Sequence, residues 1–218
     1  MDNDSLSIIN YQLSIMKPVT IIDYGFGNIR SVQKGLELVG ATVKLTTDAA
    51  DILNADKLLL PGVGAFGAAM EALRARGWVE PIQQAAGNGT PLLGICLGMQ
   101  LLLDESDEMG QHDGLGLING RVTRFPPSHP LKIPHMGWNA IHHQSDNPLL
   151  RDVPSGAYAY FVHSYYCIPD DAAVTLATVE YGMEFTAVLA QNNIYGVQFH
   201  PEKSQKAGLQ ILRNFAGI

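Results

Sequence analysis

Two cysteines in 218 residues are too few for a disulfide framework, so the chain reads as one that folds in a reducing compartment. Basic residues are also scarce: 14 Lys and Arg against 21 Asp and Glu, a net charge of −7. No stretch gathers them, so the electrostatic footprint of a nucleic-acid binder is missing. The longest apolar runs fall far short of a bilayer span, and the N-terminus lacks the basic start and apolar core of a signal peptide. Cytoplasmic localisation is the resulting expectation. No set of Cys, His, Asp or Glu has metal-ligand spacing, since His142-His143 is only an adjacent pair, and no metal is expected. Gly25-Phe26-Gly27 lacks the third glycine and the downstream acid of a dinucleotide loop, so no cofactor is expected either.

What remains is an ordinary globular composition, 46% hydrophobic and 16% charged, long enough for one sizeable core. Residues 1–16 read as an appendage and 17–218 as a single domain; Met16, just ahead of Lys17-Pro18, is an alternative start. From there strands and helices alternate: strand 18–23, helix 29–39 closed by Gly40, strand 42–45, strand 56–60, helix 66–86 interrupted at Gly77-Trp78, strand 91–95 and helix 98–105. This alternation predicts an α/β fold, a doubly wound, mostly parallel sheet flanked by helices, with function at the carboxyl ends of the strands. After Gly110 prolines crowd 126–134. Short alternating runs at 121–125, 157–162, 174–180 and 185–190 predict antiparallel strands added to that sheet, before strand 194–199 and a last helix over 204–215. Glu37, Glu71 and Asp104 read as solvated helix faces, and Cys167, alternating with tyrosines, as packing.

The most informative segment is Gly94-Ile95-Cys96-Leu97-Gly98, directly after the apolar Pro91-Leu92-Leu93. A strand ending in Gly-x-nucleophile-x-Gly and turning straight into a helix holds the nucleophile on a tight bend. Chance gives about 0.02 such patterns in this composition. The thiol would stand at a helix N-terminus, which favours its thiolate form. A base follows in Phe199-His200-Pro201-Glu202. Proline biases His200 towards an extended backbone, and positions two apart then share a side, so Glu202 can orient the His200 ring while its other nitrogen serves Cys96. Acyl transfer also needs donors for the developing oxyanion. The backbone N–H of Leu97 is one, and Gly62-Val63-Gly64 at a neighbouring strand end is the candidate for the second.

Gly-Ile-Cys-Leu-Gly-Met-Gln at 94–100, together with His200-Pro201-Glu202, resembles the class I (triad) glutamine amidotransferases, whose fold is flavodoxin-like. Ile22-Asp23-Tyr24-Gly25-Phe26-Gly27-Asn28, Pro61-Gly62-Val63-Gly64-Ala65-Phe66 and Pro134-His135-Met136-Gly137-Trp138-Asn139 narrow the likeness. Together they look like the glutaminase subunits of imidazole glycerol phosphate synthases, in histidine biosynthesis, from about residue 17 to 218. The resemblance implies glutamine hydrolysis through a Cys96 thioester, with His200 protonating the departing ammonia. It further implies that Gln100, Glu108 and the backbone of Ser164-Tyr165 hold the glutamine. A heterodimeric cyclase partner, a (β/α)8 barrel that consumes the ammonia, is implied too, with Asn28, Lys203 and Trp138, read as part of a loop, at the interface. In that family glutaminase activity is low until the cyclase binds its ligand, and reorientation of the 62–64 loop would account for it. The triad alone leaves three alternatives open: the glutaminase of pyridoxal phosphate or anthranilate synthase, a silent amidotransferase-like binding protein, or a stand-alone cysteine hydrolase.

Overall fold

The computed structural model describes residues 17–218, so the expected appendage lies outside the described residues. The first half of the chain runs β1 (Val19–Ile22), α1 (Ile29–Leu38), β2 (Val43–Thr46), α2 (Ala49–Leu53), β3 (Lys57–Leu60), α3 (Phe66–Ala75), α4 (Val79–Gly87), β4 (Leu92–Ile95) and α5 (Leu97–Leu101). There follow β5 (Leu103–Ser106), β6 (His112–Asp113), β7 (Ile118–Arg124), β8 (His135–Ile141), β9 (Ala157–His163), β10 (Tyr165–Pro169), β11 (Thr175–Glu180), β12 (Glu184–Gln191), β13 (Ile194–Val197) and α6 (Gln205–Gly217).

Every residue of β1, β3, β4 and β13 is buried, because helices cover both faces of a parallel sheet and leave no position for an exposed side chain. Even Lys57 is 4% exposed; its Nζ donates to the carbonyl of Ala216 at 2.6 Å, in the last turn of α6. Alternate residues feed opposite layers. Val19, Ile21 and Leu59 pack with Val32 and Leu36 of α1 and Ile211, Leu212 and Phe215 of α6. Ile22, Leu58 and Leu60 pack with Ile52, Phe66, Met70 and Ile82 of α2, α3 and α4.

The main sheet has the order β2-β1-β3-β4-β13-β12-β11. The five strands from β2 to β13 are parallel, while β12 and β11 are antiparallel to their neighbours. Only β11 and β12 therefore meet the expectation of antiparallel strands added to this sheet. β7 and β10 instead join β5 and β6 in a separate four-stranded sheet, and β8 and β9 form a ribbon of their own.

Two further differences from the sequence expectation concern residues singled out there. The helix expected over 98–105 stops at Leu101, because Leu103 pairs with Ile118 and Glu105 with Arg121 of β7. An apolar run such as Met99 to Leu103 reads equally as helix or strand, and the pairing decides. Asp104 thus sits in β5, where its carboxylate accepts from the N–H of Gly120 at 2.9 Å. The segment around Trp138 is strand β8, with Trp138 opposite Tyr160 of β9. Among the described residues no helix is long and apolar enough to cross a membrane.

Candidate active site

The carboxyl ends of β3, β4 and β13 point to one region. At the end of β4 the N–H of Cys96 donates to the carbonyl of Val197 at 2.8 Å, tying the corner to β13. Cys96 has φ +54° and ψ −109°, and α5 begins at the next residue. A side chain in that region of backbone space is strained. The corner is tight because the flanking glycines let backbone meet backbone. A Cβ at Gly98 would lie 1.9 Å from the carbonyl oxygen of Leu60, and one at Gly94 would lie 2.6 Å from that of Gly98. As the first residue of α5, Leu97 has an N–H with no intrahelical acceptor. The 62–64 loop presses on this start, since a Cβ at Gly62 would stand 2.8 Å from the nitrogen of Gly98. The Tyr24 hydroxyl donates to the carbonyl of Pro61 at 2.8 Å, which pins the entry to that loop.

His200 follows β13 in extended backbone, and Pro201–Lys203 make a single 3-10 turn. Glu202 therefore reaches the ring through a turn rather than along an extended strand. Its Oε1 accepts from His200 Nδ1 at 3.0 Å, with both side chains almost wholly shielded. A carboxylate only accepts, so Nδ1 carries the proton, and Nε2, which has no hydrogen-bond partner among the described residues, is left for Cys96. Burial disfavours a charged imidazole here, but Cys96 and Glu202 outweigh it and raise the His200 pKa to about 10. The turn is fastened to the ribbon: His200 N–H donates to the carbonyl of Tyr160 at 2.9 Å, Tyr160 N–H donates to Ser204 Oγ at 2.9 Å, and Ser204 Oγ–H donates to the carbonyl of His200 at 2.6 Å.

Val63, Gly64, Cys96, Leu97, Gln100, Glu108, Ser164, Tyr165 and His200 line one cavity of about 350 Å³. Gly62 and Glu202 stand just behind the lining, as the contacts above describe. One oxygen of Glu108 accepts from the N–H of Phe66 at 2.7 Å, at the start of α3. Gln100 Nε2 donates to the carbonyl of Tyr165 at 3.0 Å and to Gln198 Oε1 at 3.1 Å. Asn28, Trp138 and Lys203 do not line the cavity. Asn28 offers its carbonyl to Ser31 and Val32 at the start of α1. Trp138 is 46% exposed; its ring lies 5.9 Å from that of Tyr160, over which Lys203 Nζ sits at 5.7 Å.

Two polar residues beside Cys96 and the cavity, Gln198 behind the lining and His163 on it, were not anticipated. Gln198 is fully buried and its Nε2 reaches Cys96 Sγ at 3.7 Å. It lies two positions before His200, and strand parity was the available signal. His163 lines the cavity and donates from Nδ1 to the carbonyl of Tyr165 at 2.8 Å. Its bare Nε2 then accepts from His135 Nδ1 at 3.1 Å. Burial holds both rings neutral, with pKa values pushed down to about 3 for His163 and about 4 for His135.

A thiol on a strained corner, an imidazole backed by a carboxylate and free backbone donors can together perform nucleophilic acyl transfer. Residues 20–217 match the family described as glutamine amidotransferase class-I. The chain belongs to this family. A relative named imidazole glycerol phosphate synthase subunit HisH, from Syntrophotalea carbinolica, is 54% identical over 92% of this chain and 100% of its own length. Another of that name from Salinibacter ruber is 50% identical, over 91% of this chain and 94% of its own. Among solved structures, a PurLQS structure from Thermotoga maritima superposes with a TM-score of 0.72 at 20% identity, over 93% of this chain and 99% of that one. That likeness shows the class I amidotransferase fold alone.

Proposed function

We propose that the chain is the glutaminase subunit of an imidazole glycerol phosphate synthase, in histidine biosynthesis and in the cytoplasm. It hydrolyses glutamine and hands the ammonia to a cyclase subunit that makes imidazole glycerol phosphate and an aminoimidazole carboxamide ribotide. The observation that carries the chemistry is the shared cavity, lined both by Cys96 on its strained corner and by the His200 ring, whose buried Nε2 has no hydrogen-bond partner among the described residues.

In this reading Cys96 gives its proton to His200, whose raised pKa keeps it there, and Sγ attacks the side-chain amide carbon of glutamine. The oxyanion forms against the N–H of Leu97 and the 62–64 loop. His200 passes its proton to the leaving nitrogen, ammonia departs, and a γ-glutamyl thioester remains. Water, deprotonated by His200, then cleaves the thioester to glutamate and regenerates the thiol. Glu202 holds the ring with Nε2 towards the sulfur throughout. Gln100, Glu108 and the backbone of Ser164 and Tyr165 hold the rest of the glutamine. Glu108, a carboxylate on the lining, suits its α-ammonium group.

The partner is a cyclase with a (β/α)8 barrel, bound as a heterodimer. Trp138 supports this placement, because a large aromatic half in solvent on a strand beside the site makes a good anchor. Lys203 and Asn28 complete the interface. Reorientation of the 62–64 loop on partner binding supplies the second oxyanion donor and makes hydrolysis depend on the cyclase.

The test measures glutamate release from glutamine with the chain alone, with a cyclase subunit, and with that subunit plus its own ligand. The expected result is release that rises at each step and vanishes in Cys96→Ala. No release in any arm, or equal release from asparagine, overturns the assignment. Full release without the cyclase overturns the loop argument.

A further inference from the structure

We infer that Gln198 is a further catalytic residue, an amide donor built to hold the Cys96 sulfur; this rests on the proposed reading only for what the sulfur attacks. Its side chain is fully buried, and its Nε2 reaches Sγ at 3.7 Å. An amide can turn over and present oxygen instead of nitrogen, so the question is what fixes it. The answer is a chain of hydrogen bonds with only one possible direction. It starts at the carbonyl of Tyr165, which can only accept. Gln100 therefore presents its NH2 group there, at 3.0 Å, and the same nitrogen meets Gln198 at 3.1 Å. Gln198 must answer with its oxygen, and its NH2 is left for the sulfur. Turning either amide over would set two donors or two acceptors face to face and leave buried polar groups unpaired.

The carbonyl is itself held from its other side. His163 Nδ1 donates to it at 2.8 Å, and the bare Nε2 of His163 is occupied by His135 Nδ1 at 3.1 Å. Both lone pairs of the Tyr165 oxygen are thus used, and both imidazoles are fixed in tautomer. The whole series, from His135 through His163, Tyr165 and Gln100 to Gln198, ends in an N–H aimed at Sγ. The chain links elements far apart in sequence: β8, β9, β10, α5 and the residue following β13.

His200 faces the sulfur from the cavity, and Gln198 donates to it independently of the imidazole. A hydrogen bond to a thiolate is charge-assisted, and it also restricts where the sulfur can sit during attack. Because Gln198 touches the reacting atom and is absent from the cavity lining, its loss lowers turnover and leaves glutamine affinity in place. Gln100, which lines the cavity, behaves differently when changed.

The test uses Gln198→Met, which keeps length and removes the donor. Alkylation of Cys96 by iodoacetamide at fixed pH is followed on the whole chain, and glutamine hydrolysis on the complex with a cyclase subunit. The expected result is alkylation slowed by about 10- to 100-fold, kcat lowered by a similar factor and KM within about twofold. Gln100→Met is expected to raise KM as well as lower kcat, because Gln100 both lines the cavity and fixes the Gln198 amide. Alkylation at the wild-type rate overturns the proposal, as does a change confined to KM. Should Gln198→Met lose its cooperative unfolding transition, Gln198→Glu takes its place. It still accepts from Gln100 but offers the sulfur no N–H, so the same slowing is required. The alkylation arm involves no glutamine, so a chain that hydrolyses none fails the functional reading while the role of Gln198 at the sulfur is still decided.

Discussion

The backbone at Cys96 permits a prediction with an unusual sign. With φ +54° and ψ −109° the residue sits where glycine is comfortable and a side chain is not. Strain of this kind costs about 1–3 kcal/mol. Cys96→Gly releases it, whereas Cys96→Ala removes the thiol and its pairing with His200 but keeps the Cβ and the strain. Comparing these two variants cancels the lost sulfur. Glycine gives back about 0.5–1 kcal/mol through the greater freedom of its unfolded chain. The balance leaves Cys96→Gly more stable than Cys96→Ala by about 1 kcal/mol. For a chain of this size that is a rise of roughly 2–4 °C in Tm. At an unstrained position alanine wins by the same 0.5–1 kcal/mol, so the order of the two variants is the readout. Urea unfolding of both at one pH, with equal m-values, measures it. If alanine is as stable as glycine or more so, the corner stores no strain and the account of how the nucleophile is held is wrong.

Gly98→Ala forces a Cβ to 1.9 Å from a backbone oxygen of β3, so a loss above about 4 kcal/mol, or no cooperative melt at all, is expected by calorimetry. Stability should also fall with pH below neutrality. His135 and His163 are held at about 4 and about 3 by burial, so between pH 6.5 and about 4 the unfolded chain binds two protons that the folded chain refuses. The slope from this pair is up to about 2.7 kcal/mol per pH unit, and His135→Phe should remove about half of it in urea titrations. His200 works in the opposite sense: with a folded value of about 10, its contribution is complete below pH 6.5 and lost as pH rises through 10. Trp138→Ala, remote from the cavity lining, should weaken binding of the cyclase about 10-fold or more in calorimetric titration. It should leave the melting temperature of the chain alone nearly unchanged.

The central strands were legible because burial on both faces turns them into continuous apolar runs, as in Leu58-Leu59-Leu60 and Leu92-Leu93-Gly94-Ile95. The nucleophile corner was legible for a related reason, since only glycines let α5 lie against β3. His200 and Glu202 were paired correctly but for another geometry, a 3-10 turn in place of an extended strand. Strand partners were not legible. Nothing local tells β7 to pair with β5 and β10 instead of joining the main sheet, because partner choice is settled by contacts up to tens of residues away. The same holds for Gln100 and Gln198, which meet across 98 positions of chain. The segment 135–141 hid its strand character because Met136 and Trp138, on its outer side, are apolar and solvent-facing, which blurs the alternation that marks a half-buried strand.

The three bonds that lace Tyr160 to His200 and Ser204 give the ribbon a mechanical meaning. Backbone groups on both sides of one tyrosine hold the peptide that carries the imidazole, so ribbon and ring are tied together. Whatever rests on the outward rings of that hairpin cannot tilt it without tilting the imidazole as well. The link runs through main chain and one serine hydroxyl, over a path only one residue long.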